Sequence, residues 1–128
     1  MALQPGLART DAFVVGERLL TDVGGSLPVP VLSTPSMIAM MERNAAMLAR
    51  EQLASGQATV GFAICVKHVA SAREGASCSV RADLREVIDG RKLHFVVEVR
   101  EGQRTIGLGT HERRVIDVER LAAAARPS

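Results

Sequence analysis

The chain contains no Trp and no Tyr, and only three Phe among its 128 residues. Its core must therefore be filled by Val, Leu, Ile, Met and Ala, and it lacks the aromatic platforms on which single-stranded nucleic acids stack. Lys/Arg blocks are also missing. The 16 basic and 14 acidic residues are interspersed and leave a net charge of +2, which is not the footprint of a polyanion-binding protein but would suit an anionic small molecule. Cysteine is scarce: Cys65 and Cys78 show no Cys-x-x-Cys or Cys/His spacing, so no metal ligand set is expected. Two buried or half-buried free thiols in a reducing compartment is the simplest reading. No apolar run reaches 18 residues, so no membrane span is expected. The opening "MALQPGLART" lacks the charged start and apolar stretch of a secretory signal. A cytoplasmic location is the resulting expectation.

What is present is the profile of a folded domain, with 47% apolar and 23% charged residues. The length suits one domain spanning 1–128, with loose ends over about 1–8 and 120–128. A chain this short buries roughly two-thirds of its unfolded surface, so covering by a second copy is expected. A first strand is expected near Asp11–Val15, and "TDVGGSLPVPVLSTP" reads as a surface loop. Ser33 or Thr34 can cap a helix that has Pro35 in its first turn. Spacing at 100° puts Ile38, Met41, Ala45 and Ala49 on one stripe, with Glu42 inside it and Arg43, Asn44, Arg50 and Glu51 opposite. Gly56 is the expected end of this segment.

Strand signals follow. In "ATVGFAICVKHVA", strict alternation places Val60, Phe62, Ile64, Val66 and His68 on one face and Thr59, Gly61, Ala63, Cys65 and Lys67 on the other. "CSVRADLREVI" and "KLHFVVEVR" alternate about an Asp89-Gly90 turn, with Leu93, Phe95, Val97 and Val99 inward. "TIGLGTHERRVIDV" is the last strand and "ERLAAAA" a short helical tail. One amphipathic helix with a strand before it and four mostly hairpin-linked strands after it predicts an α+β fold. A curved antiparallel sheet would wrap one long central helix, as in the hot-dog architecture.

The pattern also aims chemistry at one interface. Glu42 projects from the apolar side of the helix and His68 from the apolar face of the next strand. A carboxylate buried without partners costs several kcal/mol, and an imidazole or a wet cleft relieves this while supplying the parts of general acid–base chemistry. Taken singly, each has a bland reading: Glu42 as a helix-edge carboxylate in solvent or a buried structural ion pair, His68 as a satisfied strand-end histidine, Thr34 as a plain cap. His94 falls on the polar face, and His111 in "GTHERR" reads as an edge or dimer-contact residue. Gly107 and Gly109 suit a bulge or close backbone approach rather than a phosphate cradle.

The segments "VLSTPSMIAMMERNA", "TVGFAICVKHVA" and "IGLGTHERRVID" together resemble the hot-dog thioesterases related to fluoroacetyl-CoA thioesterase, over roughly Val31 to Asp117. The spacing of Thr34, Glu42 and His68 matches the catalytic Thr, Glu and His of that family without a gap. The resemblance implies acyl-CoA thioester hydrolysis, coenzyme A entering only as part of the substrate, and no separate cofactor or metal. It implies Gly61 against the acyl group or thioester carbonyl, Arg113 organising the pocket, and a dimer joined sheet edge to sheet edge with active sites between subunits. Fluoroacetyl-specific members carry a longer, Phe-containing segment ahead of the helix. Here the matching "DVGGSLPVPV" has no Phe, which implies a generic short or medium acyl chain. A non-catalytic acyl-CoA or small-lipid binder is the principal alternative. A hot-dog dehydratase ranks lower, since its usual Asp/His pattern on the helix is not visible.

Overall fold

The computed structural model describes residues 2–125. Among these residues seven strands and two α-helices follow in the order β1 (Ala8–Val14), β2 (Leu20–Thr21), β3 (Val31–Leu32), α1 (Thr34–Arg50), β4 (Gln57–His68), β5 (Ser77–Ile88), β6 (Lys92–Glu101), β7 (Arg104–Asp117) and α2 (Val118–Ala125), with a single 3-10 turn at Glu17–Leu19. Five strands form one antiparallel sheet in the order β1-β5-β6-β7-β4, with β2 and β3 paired beside it. The hot-dog expectation holds: α1 lies along the inner face of this sheet. The β5–β6 and β6–β7 links are tight hairpins, and Asp89 and Gly90 both adopt positive φ (54° and 66°) as a primed turn demands. The β4–β5 link is not a hairpin. It carries the chain across the sheet, so β4 pairs with β7 and keeps one edge free.

The core is aliphatic, as the scarcity of aromatics requires. Leu93, Phe95, Val97 and Val99 of β6 and Val80, Ala82 and Leu84 of β5 are buried against Met37, Met41, Ala45 and Leu48 of α1. Each large side chain removed from water contributes about 1.5–3 kcal/mol. The helix is rolled from its expected phase. Its buried line runs Met37, Met41, Asn44, Ala45, Leu48, Ala49, so Ile38 and Glu42 lie on its flank and Glu42 keeps 42% of its side chain exposed. Asn44, expected on the polar side, is buried because its amide donates to Asp11 Oδ2 on β1 (2.8 Å).

Several boundaries also move. β1 starts at Ala8. The segment before it is tied down rather than loose, since Gly6 N–H bonds the Leu84 carbonyl and Leu3 and Leu7 pack on the core. α1 ends at Arg50, capped by Glu51, and Gly56, at φ 83°, serves the turn into β4 instead. The tail is helical through Ala125, and 126–128 lie outside the described residues. Cys78 is buried as expected, whereas Cys65 is exposed.

A bulge in β4 between Gly61 and Ala63 has the largest effect on the site. It resets the alternation, so Thr59 and Gly61 face inward before it and Ile64, Val66 and His68 after it. Phe62, expected inward with them, is turned out and 61% exposed, with the Arg114 guanidinium 3.7 Å above its ring. No helix among the described residues is long and apolar enough to cross a membrane.

Candidate active site

The start of α1 assigns its two hydroxyls separate tasks. Ser33 is the N-cap: its side chain accepts from Ser36 N–H (3.1 Å) and bonds the Ser36 hydroxyl (2.7 Å). Thr34 is thereby released from capping, and its Oγ1 hydrogen-bonds His68 Nδ1 at 2.8 Å. The cap reading of Thr34 is replaced by a Thr–His pair bridging helix and sheet. The other ring nitrogen, His68 Nε2, is buried and has no partner among the described residues. Burial holds the imidazole below its ordinary pKa, and the nearby Ala70 backbone partly counters it.

Glu42 belongs to a second cluster. Its Oε2 lies over Gly61, so close that a Cβ built on Gly61 would stand 2.9 Å from it. The space a side chain would occupy holds the carboxylate itself. Arg113, expected in the pocket from resemblance alone, places Nη1 3.7 Å from Glu42 Oε2. Its Nε donates to Thr59 Oγ1 (2.9 Å) and its Nη2 to the Thr59 carbonyl (3.1 Å). Burial works against the Arg113 charge, and the Glu42 carboxylate supports it. Gly61 and Arg113 meet because they are register partners across β4 and β7.

His111 was not among the expected site residues. It is 2% exposed, next to Arg113 and Gly61, and so is neither an edge nor a surface residue. One signal was available: on β7, His111 and Arg113 share parity with the apolar Val115, which is buried. His94 lies on the outer face, half-exposed, 3.4 Å from Glu112.

The five expected residues thus form two groups within one chain: Thr34 with His68, and Glu42 with Gly61 and Arg113. Eight residues of helix separate Thr34 from Glu42, about 12 Å along the axis. Seven residues of strand separate Gly61 from His68, roughly 20 Å. Both groups lie along β4, whose outer edge is unpaired. A half-open groove of about 320 Å³, lined by Ala46, Met47, Arg50, Leu53, Gln57, Ala58 and Thr59, continues from the Glu42 group toward the end of α1. A cavity of about 490 Å³ between α2 and the β5–β6 turn shares Gln57 with that groove but is lined by none of Thr34, Glu42, Gly61, His68 and Arg113. No group of three or more His, Cys, Asp or Glu among the described residues is placed to hold a metal ion. The arrangement offers a carboxylate beside a buried cation, and an imidazole with a free ring nitrogen. These groups suffice to activate water and move a proton.

Comparison with known proteins places the chain among enzymes. The family described as fluoroacetyl-CoA-specific thioesterase matches residues 15–119. A fluoroacetyl-CoA thioesterase of Streptantibioticus cattleyicolor is 38% identical over 96 residues, 75% of this chain and 68% of that protein. The solved structure of the fluoroacetyl-CoA thioesterase FlK superimposes with a TM-score of 0.87 at 31% identity, covering 99% of this chain and 100% of that one. A thioesterase superfamily member from Thermus thermophilus, at 24% identity and a TM-score of 0.84, covers 94% of this chain and 89% of its own and shares the fold.

Proposed function

Because the chain belongs to the fluoroacetyl-CoA-specific thioesterase family and is a thioester hydrolase of hot-dog fold, we propose that it hydrolyses an acyl-CoA with a short or medium acyl chain, using Thr34, Glu42 and His68 as catalytic groups with Gly61 and Arg113 in the substrate pocket. One observation carries the residue assignment: the Glu42 carboxylate sits over a strand glycine beside a buried arginine, on a helix whose freed Thr34 hydroxyl binds an imidazole. Glu42 directs water at the thioester carbonyl carbon and takes its proton. The C–S bond breaks, and the proton reaches the departing CoA sulfur through the Thr34–His68 pair. Arg113 balances the carboxylate before attack. The apolar walls of the groove at Ala46, Met47, Leu53 and Ala58 suit an acyl chain. The loop ahead of α1 has no Phe, which favours a generic acyl group over a fluorinated one. The test is thiol release from a panel of acyl-CoAs of increasing chain length. Binding without thiol release would instead identify a non-catalytic acyl-CoA or small-lipid binding protein.

The same reading calls for a homodimer. β4 is a twelve-residue edge strand with no partner on one side among the described residues, an edge that proteins ordinarily cover. Two copies paired antiparallel through β4 would bring the partner subunit's His68 beside the Gly61 half of the first. That closes the gap between the two groups and completes two sites per dimer. Subunit mixing checks it. Glu42→Gln and His68→Ala proteins, each nearly inactive alone, should regain a sizeable fraction of wild-type turnover after being unfolded and refolded together. A mixture no more active than its components would place each site within one chain.

Gly61→Ala is expected to lower kcat/KM by about 100-fold, because displacing a reacting group by an ångström costs that much. The obstruction is with the far end of a flexible side chain, so the melting temperature should stay close to wild type. Unchanged turnover would show that the carboxylate need not lie over Gly61.

A further inference from the structure

Arg113 Nη1 is the guanidinium nitrogen that faces Glu42, at 3.7 Å from Oε2. The other two nitrogens are committed to Thr59. The only other group holding Nη1 among the described residues is His111 Nε2, at 3.2 Å. A guanidinium has donors and no acceptor, so Nε2 must accept. The opposite ring nitrogen, Nδ1, is 2.8 Å from the Ala63 carbonyl oxygen, which has no proton to give, so Nδ1 must donate. The two contacts leave one consistent state, a neutral ring with its proton on Nδ1. The ring is also braced against Phe95, centroids 6.2 Å apart at 28°. Burial is the largest influence on the ring and favours the neutral form.

We infer that His111 is a positioning residue for hydrolysis: its neutral imidazole, anchored to the Ala63 carbonyl, turns Arg113 Nη1 toward Glu42. The inference rests on the reading of Glu42 as the carboxylate that acts on the thioester. The anchor also ties the site to the β4 bulge. Ala63 is the first residue paired after the register shift, so the geometry that brings Gly61 to Glu42 also presents the carbonyl that fixes His111. A role in packing alone would need neither an acceptor at Nε2 nor a donor at Nδ1.

Three variants test it. His111→Leu keeps apolar bulk but removes the acceptor. It should lower kcat roughly 10- to 100-fold while KM stays within about twofold of wild type. His111→Gln supplies a carbonyl that can accept from Nη1 and should recover part of that loss. In an Arg113→Lys background, His111→Leu should add little, because its effect passes through the guanidinium. A loss that simply multiplies with Arg113→Lys, or that tracks melting temperature with no recovery in Gln, would overturn the inference. The ring 15N shifts of His111 in the wild-type protein give an answer independent of turnover and of whether the Leu variant folds. They should report a neutral, Nδ1-protonated ring at neutral pH, and an imidazolium or an Nε2-protonated ring would refute it. Absence of thiol release from any acyl-CoA, by contrast, would remove the proposed hydrolytic role of Glu42 and leave that spectroscopic result standing.

Discussion

Glu42→Gln should reduce acyl-CoA turnover by about 10²–10⁴-fold, the range lost when a positioned proton-transfer group is removed. Gln is preferred to Ala because of Arg113. That guanidinium is buried, and Ala would remove the facing oxygen as well as the charge, a stability cost that obscures the kinetic result and that Gln limits by keeping the oxygen. The amide keeps the volume over Gly61 and an oxygen within reach of Nη1, while it cannot take a proton from water. The variant should therefore bind substrate with near-normal KM and melt near the wild-type temperature. Full turnover in a folded Glu42→Gln protein would end the assignment, whatever the family relationship.

The second large effect concerns stability. A Cβ on Gly109 would overlap the Cys65 carbonyl oxygen and stand 2.6 Å from Val66 Cα on the adjoining strand. These are backbone atoms in a paired ladder and cannot step aside as a side chain does. Gly109→Ala should cost about 3 kcal/mol, at the upper end of overpacking penalties, and lower the melting temperature on the order of 10 °C. Gly107→Ala is the control. Its Cβ would press mainly on the Met37 thioether, a flexible group that can rotate away, so the loss should be distinctly smaller. Because the strand pushed off by Gly109→Ala carries both Gly61 and His68, activity should fall with it. A Gly109→Ala protein that melts within a degree or two of wild type would show that β4 and β7 are not tightly apposed at this pair.

The architecture was legible because its signals are local and repeated. Pro35 beside a run of helical period, the Asp89-Gly90 turn and the inward Leu93, Phe95, Val97 and Val99 each restate one geometry. The sheet order was less legible. β4 pairs with the last strand rather than the next, and a pairing so distant in sequence leaves no local mark. Strict alternation also failed at Phe62, since a bulge inserts one residue without a required composition and exchanges the faces on either side. Gly61 and His68 were consequently expected on opposite faces, although both face α1. The helix was phased by its apolar residues alone, so Asn44, drawn inward by a hydrogen bond to Asp11, escaped notice. Spacing and resemblance singled out Thr34, Glu42 and His68. They did not show that these fall into two groups, because that depends on helix rise against strand rise. Nor did they mark His111, whose surroundings are assembled from β4 and β7.

The adjacency of Ser33 and Thr34 has an evolutionary corollary. With the amide ends of α1 answered by the first hydroxyl, the second carries no architectural duty. A lineage can therefore vary the residue beside His68, and with it the proton delivery proposed for that pair, without having to renegotiate how the helix begins.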